Sequence, residues 1–169
     1  MGMYGNFFRT DEITVQKLKK GKESLWTLFQ QCHDENWNAV NDCVLGIDKT
    51  WHAIHFTLSG KAGDAADTPL SKVILNGNPL NDEDMGYGPA MLITAQEVLE
   101  INHAFRAVSE EWFRKRFSVP EMLANQIYPL FADEDEDAFF EYVYPYFKDI
   151  VSFFKKAGEN RQCILFFVS

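Results

Sequence analysis

The residues best equipped for chemistry lie between Ile47 and Gly60, in the run I-D-K-T-W-H-A-I-H-F-T-L-S-G. Read as a helix capped by Asp48 and closed by Gly60, this run sorts into two files. At about 100° per residue, Trp51, Ile54 and Leu58 fall within about 60° of one another and face the core, while Asp48, His52, His55 and Ser59 share a second arc about as wide. An aspartate one turn before a histidine can fix the imidazole tautomer, and a histidine one turn further on can act as a base or a metal ligand. The H-x-x-H spacing lacks both the glutamate base and the third ligand of a zinc-protease helix, so the pattern asks for no metal. Either ring is served as well by a hydrogen bond to a carbonyl, and structural use is the simpler reading.

The remaining candidates are weaker. There is no G-x-S-x-G elbow, and Ser59 before Gly60 reads as the last helical residue. Gly86-Tyr87-Gly88-Pro89 has the outline of a phosphate loop, but Asp82, Glu83 and Asp84 just before it would repel an anion. Tyr87, displayed between two glycines, can still offer a ring and a hydroxyl to a neighbouring pocket. Asp48, His52, His55, Ser59 and Tyr87 are therefore the candidate pocket residues. The run Asp133 to Asp137 lacks the glycine and spaced ligands of an EF-hand and reads as the start of a helix.

The elements that must position these groups follow from periodicity and capping. Met3 to Phe8 reads as a strand, followed by a helix from Asp11 to Gly21 and another from Ser24 through Leu25, Trp26, Leu28 and Phe29. Trp37 is the expected anchor of the polar string 30–41, and Cys43 to Ile47 forms a short strand. The segment 61–69 is a surface loop, and 76–89 is a long turn-rich connection. Pro89 to Ile93 is a strand, and Thr94 with Glu97 forms a capping box for a helix bearing Val98, Ile101, Phe105 and Val108. His103 lies on the exposed side of that helix. Ser109 caps the next helix, and Ser118 with Glu121 makes a second capping box. A helix rich in phenylalanine follows the acidic run, with Pro145 expected to kink or split it. Cys163 to Val168 is a buried final strand. Few strands among many irregularly spaced helices predict a single α+β domain over residues 1–169, a small mixed or antiparallel sheet with several helices packed on it.

Composition narrows the class of function. The 169 residues are 46% hydrophobic and 15% aromatic, with 15 phenylalanines, which is enough to build a core without disulfides, metal or cofactor. A formal net charge of −9 argues against nucleic acid or an anionic membrane as partner. Three cysteines without C-x-x-C spacing suit a reducing compartment, and no apolar run is long enough to cross a bilayer, so the cytoplasm is expected.

M-G-M-Y-G-N-F, D-K-T-W-H-A-I-H-F-T-L-S-G, P-L-S-K-V-I-L-N-G, D-E-D-M-G-Y-G-P-A-M-L-I-T-A-Q-E-V and I-Y-P occur here in that order, and together they resemble the YfbM-like proteins, a bacterial domain family of unknown function. The resemblance covers nearly the whole chain and implies one cytosolic, bacterial α+β domain. Trp51, His52, His55, Gly86, Tyr87, Gly88 and Pro89 match motif positions, and the resemblance assigns none of them a reaction. The chain departs from the common pattern in the Cys/Asn-rich segment before Asp48 and in the acidic run at Asp133.

With no complete catalytic set, the leading expectation is a non-enzymatic binding domain, possible partners including a basic protein neutralised in the manner of an immunity protein. The alternative is a small hydrolase- or transferase-like enzyme with an Asp/His pocket closed by the Gly86 to Pro89 loop.

Overall fold

The computed structural model describes residues 2–34 and 42–169. Its last strand explains the architecture, because every residue of C-I-L-F-F-V is buried. Successive strand side chains point to opposite faces, so a strand apolar at every position needs cover on both. Cys163, Leu165 and Phe167 belong to one apolar cluster, and Ile164, Phe166 and Val168 to another on the opposite face.

Among the described residues the sheet has five strands, β1 (Gly5–Thr10), β2 (Val44–Gly46), β3 (Pro79–Asp84), β4 (Pro89–Ile93) and β5 (Cys163–Val168), in the order β2-β1-β5-β4-β3. All neighbours are antiparallel, with Phe7 opposite Phe166 and Leu92 opposite Leu165. Of the seven described helices, α1 (Glu12–Lys19) and α2 (Leu25–Asp34) cover the Leu165 face. The Phe166 face carries α3 (Trp51–Ser59), α4 (Ala95–Phe105), α5 (Glu110–Arg116), α6 (Val119–Ala124) and α7 (Glu136–Glu159). The molecule is therefore α+β with an antiparallel sheet, as its sequence pattern predicts.

Several expectations need correction. The connection 76–89 contains β3, an edge strand whose N-D-E-D sequence shows no apolar alternation. Its Glu83 takes the N–H groups of Leu25 and Trp26 and so caps α2 from across the chain. Asp48 does not cap α3. Its φ of +50° places it in the left-handed region, and the 3-10 turn Asp48–Thr50 precedes a helix that starts at Trp51. A cap needs an extended backbone to swing its side chain over the first N–H groups, and this conformation sends the carboxylate elsewhere. At α6, Ser118 accepts from the Glu121 N–H, but among the described bonds Glu121 does not reach back to the Ser118 N–H to complete the box, and the Val119 N–H goes to Glu136 of α7. Helix α7 begins at Asp135, whose side chain caps Ala138, and runs unbroken through Pro145, an exposed position. The anchoring role expected of Trp37 lies outside the described residues.

The join between β1 and α3 tolerates no extra atom. A Cβ on Gly5 would sit 2.8 Å from Cβ of Trp51 and 2.9 Å from Cγ1 of Ile47, neither of which can swing away. Gly5→Ala is expected to cost about 1–3 kcal/mol through overpacking. The urea midpoint of the variant checks it, and an unshifted midpoint would mean that the two elements are free to part.

Candidate functional site

Helix α3 is buried on more sides than its apolar file requires. Trp51, Ile54 and Leu58 are buried, and so are Ala53, His55, Phe56 and Thr57. It ends because Gly60, at φ +74°, turns left-handed and returns its N–H to the Phe56 carbonyl. The chain then folds back over the polar arc of the helix, which covers the two histidines.

Each ring is committed to backbone on both of its nitrogens. His52 Nε2 lies 2.8 Å from the Ala62 carbonyl, and its Nδ1 accepts the Tyr128 N–H at 3.0 Å. His55 Nε2 lies 2.8 Å from the Gly63 carbonyl, and its Nδ1 faces the Leu75 N–H at 3.5 Å. A carbonyl only accepts and an amide N–H only donates, so both rings are neutral with the proton on Nε2. Burial holds both below the ordinary imidazole pKa, against the opposing pull of the carbonyl bonds. Rings bonded in this way have no lone pair left for a metal or a substrate proton. Among the described residues no group of three or more His, Cys, Asp or Glu is placed to hold a metal ion.

The other candidates go separate ways. Ser59 Oγ donates to the His55 carbonyl and accepts the Lys61 N–H, which makes it part of the helix stop. The carboxylate of Asp48 accepts the Tyr142 hydroxyl at 2.8 Å. Tyr87 sits in the β3–β4 turn, half exposed, with its N–H on the Val168 carbonyl. In that turn the Gly86 and Gly88 amides are taken by Asp84, so the donors a phosphate would need are already satisfied.

The structure instead forms an open cleft of about 650 Å³ next to α3, lined by Lys49, Leu123, Gln126, Tyr128, Pro129 and Phe131 among others. The Tyr128–Pro129 bond is cis. Its rear wall rests on the histidine helix. Trp51 lies flat on His52 with ring centroids 4.8 Å apart and stacks on Tyr128 at 6.2 Å. Trp51 Nε1 donates to the Met3 carbonyl, and the Met3 N–H donates to the Tyr128 hydroxyl. His52 thus supports the cleft from behind by holding the Tyr128 backbone. At the lip, Phe131 is 69% exposed. Asp48 and Gln126, at φ +50° and +56°, are two of the three non-glycine residues in the left-handed region among those described; Gln126 lines this cleft, and Asp48 directly precedes Lys49, which also lines it.

Sequence reasoning missed Lys49, Gln126 and Phe131. The available signal was an isolated phenylalanine between a Tyr-Pro turn and an acidic run, where nothing nearby could bury it.

A family model described as a domain of unknown function, DUF1877, matches residues 1–167. The protein YfbM of Escherichia coli K12 is 27% identical over 160 residues, covering 92% of each chain. A crystal structure of YfbM from Escherichia coli, a protein of unknown function, superposes with a TM-score of 0.69 at 22% identity, covering 98% of this chain and 99% of the other. At that identity the likeness speaks for the fold.

Proposed function

This chain belongs to the DUF1877 family, whose function is open, and on that premise we propose that it is a non-enzymatic interaction domain that takes a basic protein partner at the cleft beside α3. One observation carries the reading. Phe131 stands 69% exposed at the mouth of an apolar cleft, and the acidic run Asp133 to Asp137 begins two residues later. A large apolar group in water beside an apolar cleft marks a surface that gains by being covered. Within that run, Asp135 caps α7, Glu136 serves α6 and Asp137 pairs with Arg114. Among the described residues the side chains of Asp133 and Glu134 have no such engagement, which suits them to a cation. Together with the net charge of −9 they favour a basic partner, both in steering and in selection.

The hydrolase- or transferase-like alternative needs Asp48, His52, His55 and Tyr87 around one cavity with a nitrogen free to move a proton. The backbone bonds on both rings, and the separate engagements of Asp48 and Tyr87, support the binding reading over it. Metal and cofactor have no part in that reading. Nucleic acid and membrane are not the partners proposed; among the described residues, no helix is long and apolar enough to cross a membrane.

A photo-crosslinking side chain placed at Phe131 tests the proposal in the living cell. We expect capture of a discrete protein with a basic surface, with a yield that falls as salt is raised during crosslinking in fresh lysate. The same probe at Ile13, which is equally exposed on α1, is the control. Equal capture from both positions, or a captured protein with an acidic surface, would refute the assignment.

A further inference from the structure

We infer that Asp48, set in an aromatic corner made by Tyr142 and Tyr146, is the receptor for an arginine or lysine side chain of the partner, an assignment that rests on the binding function proposed above. The Tyr142 hydroxyl donates to Oδ2 of Asp48 at 2.8 Å, which fixes the carboxylate, and among the described residues no hydrogen bond or ion pair takes Oδ1. The Tyr142 and Tyr146 rings stand 5.9 Å apart at 79°, so they form two walls that meet nearly at a right angle. Tyr142 is 36% exposed, and Asp48 is half-buried.

Within the corner no basic side chain among the described residues pairs with Asp48. Its neighbour Lys49 turns away, with Nζ 5.7 Å from the centroid of the Tyr4 ring. Both tyrosine hydroxyls are held above the usual phenol range, first by burial and then by the charge of Asp48, with Asp149 adding to the effect on Tyr146. The corner therefore keeps two protonated phenols around one carboxylate. A carboxylate held by one phenol hydroxyl, with the edge-to-face pair of Tyr142 and Tyr146 beside it, suits a flat guanidinium or an ammonium, which gains a charge-assisted hydrogen bond to the carboxylate and a cation–π contact from a neighbouring ring. One carboxylate is too few oxygen ligands for calcium.

The position fits the partner already proposed. Asp48 is adjacent in sequence to Lys49, which lines the cleft, so a chain that seats an apolar residue against Phe131 can place a basic one at Asp48. The left-handed backbone at Asp48 turns its carboxylate toward α7 instead of over the start of α3. Strain of this kind persists where the surroundings impose it, and it is common at binding sites.

The test is an NMR titration of the full chain with the blocked peptide acetyl-Gly-Arg-Gly-amide at low salt, with its citrulline analogue as the neutral match. The arginine peptide should shift the Asp48, Lys49, Tyr142 and Tyr146 amides in a saturable manner and bind at least about fivefold more tightly than the citrulline peptide. Asp48→Asn should lower the affinity for arginine about fivefold or more. Asparagine accepts the left-handed backbone as readily as aspartate, so the amide spectrum away from the corner should be unchanged. Tyr142→Leu, which removes a wall but no charge, should weaken binding as well. Equal affinity for both peptides, or an Asp48→Asn chain that binds arginine like the parent, would overturn the assignment. Crosslinking from Phe131 is a separate readout. If it persists while the titration fails, only the corner is wrong; if it is lost while the titration succeeds, it is the cleft reading that is wrong.

Discussion

Replacing Trp51 with alanine is expected to destabilise the protein by about 3–5 kcal/mol, the largest loss foreseen for a single side chain outside the phenylalanine core. Trp51 is only 7% exposed, and it does three things at once. It fills the space left by the missing Cβ of Gly5, it lies flat on His52, and it donates from Nε1 to the Met3 carbonyl at 3.1 Å. Truncation removes the packing, opens a cavity that the fixed backbone of β1 cannot close, and leaves a carbonyl without its donor. Trp51→Phe should recover most of the stack and lose about 1 kcal/mol for the missing N–H. Urea unfolding followed by circular dichroism checks both. Because Trp51 also stacks on Tyr128, the alanine variant should shift the amide signals of the cleft wall even where it remains folded. A variant that loses under about 1 kcal/mol would show that α3 is held by its other faces.

The second large effect concerns His55. His55→Leu leaves the Gly63 carbonyl and the Leu75 N–H without their ring partner, and about 2–4 kcal/mol should be lost at neutral pH. The burial of this ring predicts acid sensitivity, which its bond to the Gly63 carbonyl only partly offsets. Burial holds the folded-state pKa of this ring below its reference value of 6.5, so at pH below 6.5 the unfolded chain binds the proton more readily than the folded one. Stability is full above that value and falls as the pH drops through it, until the folded ring itself protonates. The slope is at most about 1.4 kcal/mol per pH unit for this ring, and His52 acts in the same direction. His55→Leu removes one of the two titrations, so the gap between parent and variant should narrow from pH 7.5 to pH 5.5. Urea midpoints at the two pH values decide it. A gap that widens would mean that the folded state favours the charged ring.

What the sequence could convey was whatever is decided within a few residues. The facing of Trp51, Ile54 and Leu58 was legible because apolar spacing along one helix fixes it, and the Thr94–Glu97 box and the Asp135 helix start were legible for the same local reason. Strand β3 was not, because its residues are polar and its stability comes from pairing with β4 and from Glu83 capping α2. The backbone at Asp48 was not, because its carboxylate is claimed by a hydroxyl 94 positions away. The work of His52 was hidden too, since its partner is the N–H of Tyr128, 76 positions on, and a backbone group carries no sequence signature. The predicted polar file exists as spacing, but the loop that folds over it converts its histidines from displayed groups into fasteners.

Strand β5 has a consequence for how the chain reaches this state. It pairs with β1 on one side and β4 on the other, so the sheet has no middle until residues 163–168 are present. During synthesis β1 emerges about 150 residues before β5, and it must wait for that strand before its inner edge is satisfied. Until then Phe7 and Phe8 lie beside an unpaired strand edge, a template for wrong pairing and a natural hold for a chaperone. So large a separation between partners makes closure slow relative to helix formation. The route to the fold is therefore one of preformed pieces awaiting their keystone, and a ribosome-bound chain stalled before Cys163 should remain open to proteases across both halves.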